Sequence, residues 1–151
     1  MLDRFERFSF AIMEISKYWH KLSADEMERH GLRSTHSVYL MTMVKHPEGL
    51  TAPQLCELCS RDKSDVSRMM RMMETQGLVT KESTHQRQYN GVFRLTPAGV
   101  AAADHVKQRA ALAVELAGKD LTDENRAILY ASLASVAENL RKLCKEGLPN
   151  K

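Results

Sequence analysis

A chain of 151 residues, 43% apolar and 27% charged, is long enough for one packed domain and too apolar for wholesale disorder. Its formal charge of +3 excludes a strongly basic polyanion binder, and no apolar run approaches the ~18 residues that cross a bilayer, so no membrane partner is expected. The N-terminus has no signal-peptide core and three cysteines build no disulfide framework, which together point to a reduced, cytoplasmic protein.

Residues 2–29 are predicted as one long helix. Phe5, Phe8, Ile12, Ile15, Trp19 and Leu22 recur at spacings of 3, 4, 3, 4 and 3, a seam suited to another helix. Gly31 ends it. A second helix is expected from about Ser34 to Lys45, with Val38, Met41 and Thr42 turned inward and Tyr39 beside them. His46-Pro47-Glu48-Gly49 stops it, because the residue before proline is pushed out of helical geometry.

Thr51 can cap a short third helix, with Gln54 placed to reach back to the cap's own backbone N–H. Leu55, Leu58 and Cys59 form its apolar face. Ser60 or Asp62 is the next N-cap, and Gly77 closes the fourth helix where a left-handed residue is wanted. At about 100° per residue, Val66, Met69, Met70 and Met73 gather on one side of that helix. Met72 sits at the edge of this deformable methionine core. Ser64, Ser67, Arg68 and Arg71 gather opposite. Any solvated helix can show serine and arginine outside, but a helix in the major groove needs them: Arg for guanine O6/N7 or phosphate, Ser for close approach.

The next residues shift the weight. Leu78–Lys81 and Val92–Leu95 are short β-rich runs around a polar loop, Ser83 to Gly91, which contains His85, Gln86, Arg87, Gln88 and Tyr89. A helix-turn-helix followed by a two-stranded wing is a DNA-docking arrangement. Asn90-Gly91 is a hairpin signal, yet only four residues separate it from Thr96-Pro97, so the longer loop is expected. From Arg61 to Arg94 there are seven basic and four acidic side chains, a local excess that suits phosphate.

Thr96 and Pro97 then fit the N-cap and first position of a fifth helix rich in alanine (Ala101, Ala102, Ala103, Ala110, Ala111, Ala113, Ala117), which Gly118 closes. The last helix starts near Thr122 and carries Leu129, Leu133, Val136, Leu140 and Leu143 at spacings of 4, 3, 4 and 3. Two ends with apolar seams predict dimerisation across a two-fold axis. A monomer burying those seams internally is the alternative.

Leu55-x-x-Leu58, Val66-Ser67-Arg68, Glu74-x-x-Gly77-Leu78-Val79 and Leu95-Thr96-Pro97-Ala98-Gly99 together resemble the MarR family of winged-helix transcriptional regulators. With the flanking helices, the resemblance covers nearly the whole chain. One departure stands out: the family's wing usually carries Asp-x-Arg six to eight residues before the Leu-Thr pair, and here those positions read Arg87-Gln88-Tyr89. The bracing Asp is absent and the arginine sits two residues earlier.

The fold so implied is mainly α with a small β wing: a single MarR-like domain over 1–151, with a winged helix-turn-helix core (48–97) flanked by long dimerisation helices (1–31 and 97–147). The function implied is that of a homodimeric transcriptional regulator, a repressor responsive to a small ligand, on a pseudo-palindromic operator in double-stranded DNA. Lys63 would hold phosphate, Ser64, Ser67, Arg68 and Arg71 would face the major groove, and His85, Gln86, Arg87 and Gln88 would work from the wing. In the family the effector pocket lies where the dimer helices meet the winged core, which suggests Trp19, His36 and Tyr39. The rival reading is a helical dimer whose winged module binds protein.

Other constellations carry less. Cys56-x-x-Cys59 is half of a zinc site without its second pair, and at i, i+3 on an apolar face two cysteines read as small core residues. Cys144 stands alone and is expected to be exposed. Glu26 and His30, at i, i+4, read as a solvated pair. No Ser-His-Asp order, paired carboxylates or Gly-rich phosphate loop is present, so no catalytic group, cofactor or metal is expected.

Overall fold

Helix α1 (Arg4–Glu28) opens on a capping box: the Asp3 carboxylate accepts from the Glu6 N–H at 2.8 Å, and Glu6 accepts from the Asp3 N–H at 3.1 Å. The computed structural model describes residues 3–83 and 91–150; His85, Gln86, Arg87, Gln88, Tyr89 and Asn90 lie outside the described residues. The α1 seam is exposed along its length, Phe5 at 73% and Ile15 at 66%, and among its described residues Met27 is the buried one. Gly31, at φ +69°, ends the helix as expected.

The second helix differs from expectation in start, end and face. A 3-10 turn (Ser34–His36) leads into α2 (Ser37–Met43), and the buried side chains are Tyr39, Leu40 and Met43. Val38, Met41 and Thr42 are only half-buried. The cause lies in the sequence itself: Val38-Tyr39-Leu40-Met41-Thr42-Met43-Val44 is apolar almost all round, so periodicity cannot select one stripe over its neighbour.

Helix α3 (Ala52–Cys59) carries the expected Thr51/Gln54 capping box. Leu55 and Cys59 are buried and Cys56 packs against the core, whereas Leu58 is 50% exposed. The buried stripe centres between residues 55 and 56, and Leu58 falls about a quarter turn away. Ser60, at φ +52°, closes α3 in the left-handed region, and Asp62 is the N-cap of α4 (Lys63–Thr75), accepting from the Asp65 N–H at 2.7 Å. Val66, Met69, Met70 and Met73 are all buried and Met72 is half-buried, as the helical wheel predicts.

Among the described residues the sheet has three strands where two were expected. Leu50–Thr51 forms β1, and the order is β1-β3-β2, antiparallel throughout, with β2 at Val79–Glu82 and β3 at Val92–Leu95. Two residues are too few to show an alternating pattern, which is why β1 escapes sequence reasoning. Glu82 pairs with Val92, and the expected loop between the two strands falls largely on residues 84–90, outside the described residues.

Thr96 stands at the junction of strand and helix. Its hydroxyl donates to the Gly77 carbonyl at 2.7 Å and accepts from the Gly99 N–H at 3.0 Å, opening α5 (Pro97–Ala117). The chain divides into two compact units, residues 1–110 and 111–151. The first contains the buried core. In the second, α6 (Asp123–Glu146) is capped by Thr122; Leu129, Leu133, Leu140 and Leu143 are exposed and Val136 is half-buried. No described helix is long and apolar enough to cross a membrane.

Two glycines invite a paired test. Gly77 has φ +72° and open space around it, so Gly77→Ala costs only the left-handed penalty, about 1–2 kcal/mol. Gly99 has ordinary helical geometry, but a Cβ there would lie 2.0 Å from the Leu78 carbonyl oxygen. Gly99→Ala is expected to destabilise more than Gly77→Ala, by over about 2 kcal/mol in urea unfolding. Equal midpoints for the two variants would mean that the α5–Leu78 contact yields readily.

Candidate nucleic-acid interface

Because one face of α4 is buried in thioether and valine, its other face is outward by geometry. Lys63, Ser64, Ser67, Arg68 and Arg71 are all exposed on it. The outward face therefore combines three cations and two hydroxyls, and no bulky apolar side chain interrupts it.

Arg68 is not a free cation. Its side chain is 70% exposed, and its Nη2 donates to Asp65 Oδ1 at 3.0 Å. Asp65 is 19% exposed, and its other oxygen, Oδ2, accepts from the hydroxyl of Tyr39 at 2.5 Å. The tyrosine hydrogen bond, followed by Arg68, holds the Asp65 carboxyl below its ordinary value. Burial, reinforced by Asp65, pushes the Tyr39 phenol far up, so it remains a neutral donor. Tyr39 and Asp65 are separated by 26 positions, and nothing in a linear reading links them.

The wing base has a tie of its own. Arg94 on β3 donates through Nη1 to the Glu82 carboxylate on β2 and through Nε to the Glu48 carbonyl at 3.0 Å. Glu82 faces Val92 in the register, so Arg94 reaches it along the cross-strand diagonal. Glu48 also accepts from His46 Nδ1 at 3.0 Å when that nitrogen carries the proton. The Lys81 ammonium sits 5.4 Å from the centre of the Phe93 ring. Sequence reasoning missed Arg94; its only signal was a cation and a carboxylate on facing strands. The four wing-loop residues chosen from sequence, His85, Gln86, Arg87 and Gln88, lie outside the described residues.

Of the three residues suggested for an effector pocket, the structure places one at a cavity. A cavity of about 180 Å³ is walled by Trp19, His20 and Ser23 of α1, by Thr35 and Val38, and by Arg61. His36 and Tyr39 are both wholly buried in the core, and neither lines this space. Tyr39 turns its ring inward to reach Asp65, and His36 Nδ1 accepts from the Arg33 N–H at 2.9 Å. Burial lowers the His36 pKa, which favours the neutral ring.

The Glu26–His30 reading also changes. Glu26 is bonded to Arg109 of α5 at 3.0 Å and lies 3.9 Å from Arg29, while His30 meets His105 of α5 edge-on with ring centres 5.4 Å apart. Each side chain joins the end of α1 to α5 in place of pairing with the other in solvent. Cys59 is buried with its thiol 3.5 Å from the Thr42 hydroxyl, Cys56 is half-buried, and Cys144 is exposed.

A family model described as MarR family matches residues 30–88. No curated protein matches the chain in sequence. Among solved structures, the chain is similar to a MarR family transcription regulator at TM-score 0.84 and 17% identity, over 96% of this chain and 95% of that one. It is similar to a MarR-family transcriptional regulator from Listeria monocytogenes complexed with 26mer DNA, at TM-score 0.72 and 20% identity, over 100% and 99% of the two chains. It is similar also to MepR of Staphylococcus aureus in a MepR–DNA complex, at TM-score 0.74 and 18% identity, over 88% of this chain and 97% of that one. At such identities the likeness establishes the fold.

The Asp65 geometry has a pH consequence. Its folded pKa is depressed below the ordinary 3.8, so its contribution is full above that value and is lost as pH falls through the folded one. The stability gap between the parent protein and Asp65→Asn should therefore narrow as urea unfolding is repeated from about pH 6 down to about pH 3. A gap that stays constant would show that the charge of Asp65 adds nothing to its bonds.

Proposed function

We propose that this chain, a MarR-family sequence over residues 30–88 with the fold of that family's transcription regulators, binds a pseudo-palindromic site in double-stranded DNA as a homodimer. The observation that carries this is the segregation of α4. Four buried apolar side chains lie on one face, and Ser64, Ser67, Arg68 and Arg71 lie on the other, with Lys63 at the helix start. Such a face offers hydrogen-bond donors to base edges and cations to phosphate. The DNA complexes named above, of a Listeria protein and of MepR, support the same use of this fold. A protein-binding module is disfavoured because interface cores are built from apolar and aromatic anchors, and the outward face of α4 carries none.

In this reading Lys63 holds phosphate, the serines and arginines of α4 enter the major groove, and Arg87 works from the wing with His85, Gln86 and Gln88. The Arg94–Glu82 tie steadies the base of that wing. A second copy covers the exposed seams of α1 and α6, since monomeric proteins seldom expose apolar stripes of that extent. The protein acts as a repressor, and a small ligand in the cavity beside Trp19 and Arg61 alters the spacing of the two recognition helices.

Selection of bound duplexes from a random pool gives the site and its symmetry. Against that site, Arg68→Ala should cost about 1–3 kcal/mol and relax discrimination at particular bases. Arg87→Ala should weaken all sequences by similar factors and flatten the salt dependence by about one unit. An unchanged ratio of selected to scrambled affinity in Arg68→Ala would remove α4 from the groove. For the dimer, Leu133→Glu should shift sedimentation at micromolar concentration from dimer toward monomer or aggregate; a soluble dimer would mean that the α6 seam is not the interface.

A further inference from the structure

We propose that Asp65 is the positioning residue for Arg68 and that the buried hydroxyl of Tyr39 clamps Asp65, so that the groove-facing guanidinium is aimed from the protein core. The inference rests on the DNA reading above and deepens it.

Three fixed points define the clamp. The Asp65 N–H is held by the Asp62 cap at 2.7 Å, which sets the backbone of the first turn of α4. The two carboxylate oxygens then serve different partners: Oδ2 accepts from Tyr39 at 2.5 Å and Oδ1 accepts from Arg68 at 3.0 Å. Tyr39 is completely buried on α2, with its ring packed among core residues, so its hydroxyl cannot wander. A charge-assisted bond from such a donor is short and directional.

The consequence concerns Arg68. An exposed arginine has much rotamer entropy to lose, and an ordinary surface ion pair is too weak to restrain it well. A carboxylate pinned from beneath is a stiffer partner than one free to turn. It takes one guanidinium nitrogen as donor and leaves the remaining N–H groups for a bidentate contact with guanine. Aiming the side chain before DNA arrives lowers the ordering cost of the contact that reads sequence, and leaves phosphate contacts untouched. The hydroxyl of a core tyrosine thereby affects which bases are preferred while touching none of them.

The test is a double-mutant cycle on the full chain, read as the affinity ratio between the pool-selected duplex and a scrambled one. Tyr39→Phe, which removes one oxygen, should lower that ratio about three- to tenfold with scrambled-site affinity unchanged, and should have no further effect in Arg68→Ala. Asp65→Asn keeps an oxygen for Tyr39 but turns an amide toward Arg68; it should reproduce the loss, and it serves if Tyr39→Phe fails to fold. A parent-like ratio in Tyr39→Phe, with the ratio lowered in Arg68→Ala, overturns the clamp and leaves the DNA reading standing. An equal loss in both backgrounds also overturns it, since the hydroxyl would then act through general stability. If Arg68→Ala itself leaves the ratio unchanged, both readings fall.

Discussion

The burial of Val66, Met69, Met70 and Met73 beneath α4 is the interaction on which the rest depends. Each fully buried side chain of this kind is worth about 1.5–3 kcal/mol relative to exposure, so rolling α4 about its axis would forfeit several such terms together. That cost pins the helix's rotation, and rotation determines which residues point outward. The partners beneath it come from α2, α3 and the first residues after α4: Tyr39, Leu40, Met43, Leu55, Leu78 and Val79 belong to the same core. Thioethers suit the position because three rotatable bonds let them fill irregular space between elements that meet at different angles.

How much of this could be read from the chain depended on how sharply polarity was segregated. Helix α4 divides cleanly between methionines and a Ser/Arg face, so wheel angles alone assigned its buried side. Caps at Thr51 and Thr96 were equally plain, because capping is a local interaction over three residues. Where polarity was uniform, as in α2, the inward stripe was misassigned by one position. Strand β1 was too short to carry a pattern. Leu58 shows a subtler failure: an i, i+3, i+4 set looks like a face, but an eight-residue helix buries only a narrow strip.

The candidate site divides in the same manner. The identities of Lys63, Ser64, Ser67, Arg68 and Arg71 followed from local periodicity. The contacts that hold Arg68 and the wing base did not, because the Tyr39–Asp65 and Arg94–Glu82 contacts join segments far apart in the chain or across strands whose register is known only after folding. His36 and Tyr39, suggested as pocket residues by their position between the flanking helices and the winged core, are wholly buried; polar atoms on large rings can be satisfied internally and then do not mark a cavity. The Glu26–Arg109 and His30–His105 contacts between α1 and α5 were likewise invisible at their spacing in sequence.

The two kinds of outward residue on α4 differ in how freely they can diverge. Ser64, Ser67 and Arg71 project from a helix whose stability resides on its opposite face, so exchanges there change the chemistry of the outward face at almost no folding cost. Residue 68 is different: replacing its guanidinium strands the Asp65 carboxylate between a buried phenol and open solvent. Among descendants of this sequence, substitutions should accumulate first at positions 64, 67 and 71. Position 68 should change together with 65 and 39, as a linked set inherited or lost together.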